Sequence, residues 1–495
     1  MSSDKSAAKL PAAFERRLRS LLGEPEAHEL FAALALPPTV GLRLNTLRGA
    51  ANELAAQLPW ELSPVPWCQA AFTVTTAPPA GNAAVADAQR AADAPGRHPY
   101  QLAGAYYLQD PAATAVAEAL APAEDDLVLD LAAAPGGKST HLAALLAGTG
   151  WLVANDVHPQ RALSLVSNLE RCGVRNATVT NETPERLAQV WPERFDRVLL
   201  DAPCSGEGMF RKSDDALAMW SEQNVLHCAA RQDALLLQAA RLVKPGGYLA
   251  YSTCTLAPEE NEGSVARFVA ASGFQIVPLQ LAGTAPGRPE WSGGAPLPEL
   301  AGTARIWPHR APGEGHFVAL LRRPPGPATH TGNARPAQRG AKKQKSAATA
   351  PPRPALSAWQ DLAAETLTPG ARAALAPTGL QGEWLLQARD RLPLAGIRWL
   401  RHGLQLGRFA QGVKAARVEP AHALAMQLPP GGAARRLDLP PHDPRLAGYL
   451  AGADVEAPGA PGFLRVEVDG FPLGWGKRSG ARVRSLLPKG LRRPG

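Results

Sequence analysis

Two cysteines carry the strongest chemical signal in this chain. Cys204 and Cys254 each follow a short apolar run and stand in a turn of small polar residues, LLDAPCSGEG (199–208) and AYSTCT (250–255). A thiol in such a turn is open to a substrate, and its thiolate is a strong nucleophile. Asp201, three residues before Cys204, offers a carboxyl that could protonate or hydrogen-bond a base ring. The other three cysteines, Cys68, Cys172 and Cys228, read as small core hydrophobes. Five cysteines with no C-x-x-C pair argue against both a disulfide framework and a zinc cluster.

A second signal is the turn LDLAAAPGGKST (129–140). A phosphate-binding G-x-x-x-x-G-K-[ST] loop would need glycine where Ala132 stands, and the dinucleotide pattern G-x-G-x-x-G is absent. The residues Ala132, Ala133, Ala134, Pro135, Gly136, Gly137 and Lys138 instead make a small-residue turn that lets backbone approach a ligand closely, which suits S-adenosylmethionine. Nineteen positions after Gly137 comes Asp156, placed to accept hydrogen bonds from ribose hydroxyls as the acid after the second strand does in dinucleotide folds. Taken singly, these pieces read as a tight turn and a helix-capping Asp. Together and in this order they favour a nucleoside cofactor.

The elements that must position these residues alternate. Apolar runs at 127–131, 151–154, 177–180, 197–200 and 248–252 read as strands, and 138–146, 159–171, 225–242 and 259–271 read as helices. Runs at 274–279 and 316–321 supply two more strands. This alternation predicts an α/β, Rossmann-like, doubly wound and mostly parallel sheet, with ligands at the carboxyl ends of its strands. The fourth and fifth strands are neighbours in such a sheet, so Cys204, Cys254 and Asp201 meet at one rim.

A chain of 495 residues suggests two to four domains, and 45% hydrophobic with 19% charged residues is an ordinary globular balance. Every apolar stretch is shorter than a membrane span, and residues 1–18 lack the apolar region of a secretory signal, so a cytoplasmic, membrane-free protein is expected. The net charge of +8 is localised. Eight basic residues and no acid lie between Arg322 and Pro354, and Lys477, Arg478, Arg482, Arg484, Lys489, Arg492 and Arg493 follow the last acid, Asp469. Such segments beside neutral folded parts favour a nucleic acid partner. The Pro-, Ala- and Lys-rich stretch 324–356 reads as a flexible basic linker, and residues 77–98 as a loop closing a small leading domain. If the linker separates independent units, a chain ending at Pro324 retains a folded core.

The segments DPAATAVAEAL, LDLAAAPGGKSTHLA, LLDAPCSGEGMFRK and YSTCTLAPEENEGSVARF resemble the motif series of the Sun-type RNA (cytosine-5) methyltransferases. The likeness extends to LRLNTLR (42–48) and VPWC (65–68) and, at the tail, to FPLGWGKRSGARVRSLLPKGLR, which is similar to the end of a PUA-like RNA-binding domain. It implies an N-terminal RNA-binding domain (1–100), a class I methyltransferase domain (101–323), the linker (324–356) and a PUA-like domain (357–495). It also implies S-adenosylmethionine as cofactor, small-subunit (16S) ribosomal RNA or the small ribosomal subunit as partner, and a monomer without metal. Carbon 5 of cytosine is too poor a nucleophile to take a methyl group directly, so a thiolate must first add at carbon 6. The resemblance assigns that addition to Cys254 and product release to Cys204. Asp201 would hold the ring nitrogen and Asp156 the ribose, with Lys138 lowering a thiol pKa or touching phosphate. Thr183 stands near a position where the family often has an Asp facing adenine, so no acid is assigned there. Two other classes remain in view: a non-catalytic RNA-binding assembly protein on the same fold, and a transfer RNA cytosine-5 methyltransferase.

Overall fold

The computed structural model describes residues 10–75, 94–327, 348–389, 391–412 and 416–493. Most of the loop expected at 77–98 and the middle of the expected linker, 328–347, lie outside them. The leading unit opens with helices Ala12–Leu22 and Glu24–Leu34. It continues into an antiparallel sheet of β1 (Gly41–Leu44), β2 (Glu61–Val65), β3 (Cys68–Thr75) and β4 (Tyr106–Leu108), in the order β2-β3-β1-β4. Because Leu42 pairs with Leu108 and Leu44 with Tyr106, this sheet extends past residue 100, where the first boundary was expected.

The central sheet contains β5 (Leu127–Asp130), β6 (Trp151–Asn155), β7 (Ala177–Thr180), β8 (Phe195–Asp201) and β9 (Val243–Thr253), parallel and ordered β9-β8-β5-β6-β7. These are the five strands read from the apolar runs. Both faces are covered, which is why the runs are nearly continuous. Val128, Leu152 and Leu199 pack on one side with Val116, Leu142 and Leu165, while Leu129, Val153 and Val198 pack on the other with Leu187, Leu236 and Val265. Beyond β9 the sheet continues with β10 (Gln275–Val277), β11 (Ala285–Pro286), β12 (Ala304–Ile306) and β13 (His316–Arg322). Strand β13 lies antiparallel to β9 and also pairs with β10 and β12.

The C-terminal half departs from its expected form in two ways. First, the end of the expected linker is folded. Thr349 exchanges backbone hydrogen bonds with Leu380, and a helix runs from Arg353 to Thr366, burying Ala355, Trp359 and Leu362. The Pro and Ala content that suggested flexibility serves a helix with proline in its first turn. Second, this half is not separable from the catalytic sheet. The strand Trp399–His402 pairs antiparallel with β7, matching Trp399 to Thr180 and His402 to Thr178. Ile397 is fully buried in the core that contains Trp191 and Phe195, and Trp191 donates its indole N–H to the Pro393 carbonyl at 2.9 Å. A chain ending at Pro324 would leave β7 as an open edge and strip a side of that core, so the expectation of an independent core is corrected. The remaining residues form a four-stranded sheet (Gly379–Gln381, Trp384–Gln387, Leu404–Gln411, Ala416–Pro420) and a five-stranded one between Arg436 and Ser485. Leu446 and Tyr449 of the helix Pro444–Ala451, with Phe471 of the latter sheet, share a core with Leu42 and Tyr106 of the leading unit.

Truncating a buried isoleucine typically costs 2–5 kcal/mol. Ile397→Ala should therefore destabilise the catalytic sheet by roughly 2–4 kcal/mol, measured by urea unfolding with hydrogen exchange of the β7 amides. Unchanged protection in β7 would show that the two halves fold independently.

Candidate active site

Strands β8 and β9 are hydrogen-bonded neighbours with Asp201 paired to Ser252, so the turns that follow them share one rim. There Cys204 Sγ and Cys254 Sγ lie 3.4 Å apart, both half-buried. The two turns are tied together by carboxylates that reading for nucleophiles passed over. Glu260, from the second motif, is fully buried and accepts from Ser205 N (3.0 Å), the Ser205 hydroxyl and Gln232 Nε2 (2.7 Å). Glu207, from the first motif, accepts from Leu256 N (3.1 Å) and Trp220 Nε1 (2.8 Å). Each motif thus supplies an acid that holds the backbone of the other. Gly208 N donates to the Cys254 carbonyl at 2.9 Å, and a Cβ at Gly208 would come within 2.8 Å of that oxygen. Asn261 completes the frame by donating to Thr255 O and accepting from the Thr253 hydroxyl.

Electrostatics separate the groups. The Cys204 thiol is pushed well up by its hydrogen bond with Cys254 and by burial, so it keeps its proton. Burial opposes the charge on Asp201, but the positive charge of Lys138, with hydrogen bonds from Lys138 and Ser252, outweighs it and holds the carboxyl below its usual range. Lys138 Nζ lies 2.7 Å from Asp201 Oδ2. Burial would lower the Lys138 pKa, yet Asp201 raises it overall. This pairing directs the ammonium toward the thiol rim.

The predicted cofactor residues gather at the neighbouring strand tips. Gly136 has φ +114°, and a Cβ there would meet Leu165 Cδ1 at 3.0 Å, so the turn requires glycine at this point. Ala133 N donates to Asn155 O and Ala134 N to Asp156 Oδ2, while Asn168 Nδ2 holds Pro135 O. Asp156 is 2% exposed. Its other oxygen accepts from His158 N, and the exposed Arg161 guanidinium lies 3.5 Å away. Asp130 is buried, receives the Ser139 hydroxyl at 2.6 Å and is pushed up to about 7 by burial. A pinned turn of Ala and Gly beside a fixed carboxylate fits an adenosyl cofactor. Thr183, where the family often has an acid, accepts from Arg186 N and caps the helix Pro184–Val190.

The remaining cysteines divide. Cys68 and Cys172 are buried as expected, whereas Cys228 is half-exposed on the helix Glu222–Leu242, so its assignment to the core is corrected. Cys68 also has company: His141 Nε2 lies 3.9 Å from its sulfur and 3.1 Å from Glu118 Oε1. The three could ligate a cation, which spacing alone had argued against. Against burial, hydrogen bonds from His141 and Cys68, with the Arg43 charge nearby, hold the Glu118 carboxyl below its usual range.

A Rossmann-like sheet with a pinned small-residue turn at one strand tip and two braced thiols at the next two has the architecture of a class I methyltransferase. Comparison with known proteins agrees. Residues 117–322 match the 16S rRNA methyltransferase RsmB/F family, residues 10–111 the N-terminal domain of 16S rRNA methyltransferase RsmF, and residues 436–493 the methyltransferase RsmF PUA domain. Ribosomal RNA small subunit methyltransferase F of Aeromonas hydrophila is 33% identical over 97% of both chains. That of Vibrio atlanticus is 31% identical with the same coverage. Among solved structures, a methyltransferase homolog protein from Pyrococcus horikoshii is 30% identical with TM-score 0.52, covering 63% of this chain and 94% of that one. NSun6 from the same organism, 23% identical with TM-score 0.53, shares the fold over 63% of this chain and 98% of that one. The chain belongs to the RsmB/F family of 16S rRNA methyltransferases and has the domain arrangement of its F members.

The brace has a pH signature. Burial pushes Glu260 from 4.5 up to about 7, against the hydrogen bonds from Ser205 and Gln232. Between these values the unfolded chain releases this proton and the folded one keeps it, so Glu260 lowers stability as pH rises from about 4.5 to 7, at up to roughly 1.4 kcal/mol per unit. In Glu260→Gln this contribution to the slope should vanish, as read by denaturant unfolding at several pH values. Parallel profiles for the two proteins would mean that Glu260 is ionised in the native state throughout the window.

Proposed function

We propose that the chain transfers a methyl group from S-adenosylmethionine to carbon 5 of a cytosine in small-subunit (16S) ribosomal RNA, through a covalent cysteine adduct. The observation that carries this reading is the pair of thiols 3.4 Å apart on adjacent strand ends, beside a cofactor turn joined to them by the Lys138–Asp201 pair. The names of the full-length relatives support the RNA.

Cys254 adds to carbon 6 of the cytosine ring, with the Lys138 ammonium nearby. As Cys254 adds, the proton its thiol gives up passes to the ring nitrogen, and the Asp201 carboxylate accepts the hydrogen bond of that N–H. The bound cofactor supplies an electrophilic methyl group for carbon 5. Once carbon 5 carries the methyl group its proton must pass to a base as Cys254 leaves as thiolate; Cys204, 3.4 Å from Cys254, serves this step after giving up its own proton, its raised pKa making the thiolate a strong base. Asp156 accepts from the cofactor ribose once Arg161 swings aside, and residues 132–138 line the remainder of its site. The base must leave its stack to reach the rim, which requires a grip on the surrounding RNA. Lys477, Arg482 and Arg484 form an exposed basic hairpin, with Lys477 directly opposite Arg484. Arg492 and Arg493 instead bind the carbonyls of Leu487 and Arg97 and serve the fold. Both thiols and their brace come from one chain, so a monomer is sufficient for this chemistry.

Mapping 5-methylcytosine in 16S rRNA from cells lacking the protein tests the reaction and locates its target; an unchanged map would reject the rRNA assignment. Cys254→Ala should abolish transfer. Cys204→Ala should permit attack and stall release, leaving a denaturation-resistant protein–RNA adduct on gels with labelled RNA. An adduct that accumulates in Cys254→Ala instead would reverse the roles.

Asp156→Ala should weaken S-adenosylmethionine binding by roughly 1–3 kcal/mol, the effect of removing a charged hydrogen-bond acceptor, with RNA affinity close to wild type. Calorimetry with the cofactor measures this, and unchanged affinity would remove Asp156 from the site.

A further inference from the structure

His316 is the first residue of β13. Phe317 pairs with Thr253, so one step further along the same register His316 faces the position of Cys254. Its side chain is 5% exposed, and Nε2 has no hydrogen-bond partner among the described residues. That nitrogen lies 3.9 Å from Asp201 Oδ1. The ring's hydrogen bond to the Gly315 backbone, which favours the protonated ring, is therefore donated by Nδ1. Burial and the Lys138 charge push the imidazole down to about 4, against Asp201 and Asp110. A neutral ring that donates through Nδ1 presents a lone pair at Nε2. The site thus holds a fixed, buried acceptor at the thiol rim for which the mechanism above has no use.

Buried polar atoms left unpaired are costly, and at a binding site they point to a ligand group. The neighbouring acceptors are already engaged: Asp201 Oδ2 receives Lys138 Nζ and Oδ1 receives the Ser252 hydroxyl at 2.7 Å. A cytosine held by Asp201 at its ring nitrogen carries an adjacent exocyclic amine, which is a donor. Uracil has a carbonyl oxygen at that position, and its lone pairs would face those of Nε2. We infer that His316 Nε2 accepts a hydrogen bond from the exocyclic amine of the target cytosine and selects cytosine over uracil. The inference rests on the cytosine-5 reading and adds a specificity-determining residue to it.

The test uses the full chain and 16S rRNA fragments with either cytosine or 2-pyrimidinone, which is cytosine without the amine, at the mapped target. Single-turnover methyl transfer gives kcat/KM for each RNA. The two bases differ in intrinsic reactivity, so the diagnostic quantity is the cytosine-to-pyrimidinone ratio compared between proteins. That ratio should fall roughly 10- to 100-fold in His316→Ala relative to wild type, the scale of one buried hydrogen bond. It should stay nearer wild type in His316→Gln, which retains an acceptor oxygen, and cofactor affinity should be unchanged in both. His316→Phe, which keeps ring volume without an acceptor, replaces His316→Ala if that variant does not fold. Equal ratios in wild type and the acceptor-less variant would overturn the inference. Failure of wild type to methylate the cytosine RNA is a separate outcome that rejects the cytosine-5 reading itself.

Discussion

The active rim depends on a reciprocal exchange of carboxylates. Two turns at the end of parallel strands have no reason to keep their thiols in contact, because each is a Gly-, Ser- and Pro-containing segment with few backbone hydrogen bonds of its own. Glu260 fixes Ser205 of the first turn, and Glu207 fixes Leu256 of the second. Both acids are buried, and burial raises the pKa of each. Such groups are tolerated because several donors converge on them, and removing either acid would leave those donors unpaired. The thiol contact is therefore a property of the whole frame, including Gln232 from the long helix and Trp220 just before it. The helices Ala12–Leu22 and Glu24–Leu34 of the leading unit pack Phe14, Leu18 and Leu30 against Phe210, Trp220 and Leu256, sealing this frame from outside.

Much of this could be read from the sequence, and the limits have physical causes. The five parallel strands were legible because burial on both faces makes them continuous apolar runs, and the thiols and cofactor turn because their residue types are rare in that order. Glu207 and Glu260 stood inside the recognised motifs, but a glutamate in a polar turn normally faces water. Only the fold reveals that these two point inward. His316 was read as the start of an apolar strand, and nothing in its spacing marks a ring nitrogen aimed at Asp201. The strand Trp399–His402 was missed because four residues with an Arg and a His lack strand periodicity, and because its partner β7 lies more than 200 positions earlier. The helix starting at Arg353 was read as linker because its composition matches the segment before it.

That unread strand changes how the two ends of the reaction are connected. Arg398 donates its backbone N–H to Glu182 at 2.6 Å and its Nε to the Asn181 carbonyl at 3.0 Å, and Asn181 N returns a bond to Arg398 O. Asn181 Nδ2 in turn holds the backbone carbonyl of Asp156 at 2.7 Å. The half of the chain that carries the exposed basic hairpin is therefore the same half that steadies the strand tips where the cofactor ribose is expected. A loose tether would let the RNA-facing domain move freely while the cofactor site stayed fixed. A strand inserted into the sheet edge, with Ile397 in its core, cannot slip without disturbing β7 and the residues at its end. Force applied by RNA to the C-terminal half is thereby borne by the catalytic sheet. Such rigidity suits the proposed chemistry, in which one unstacked base is held against two thiols within hydrogen-bonding tolerance.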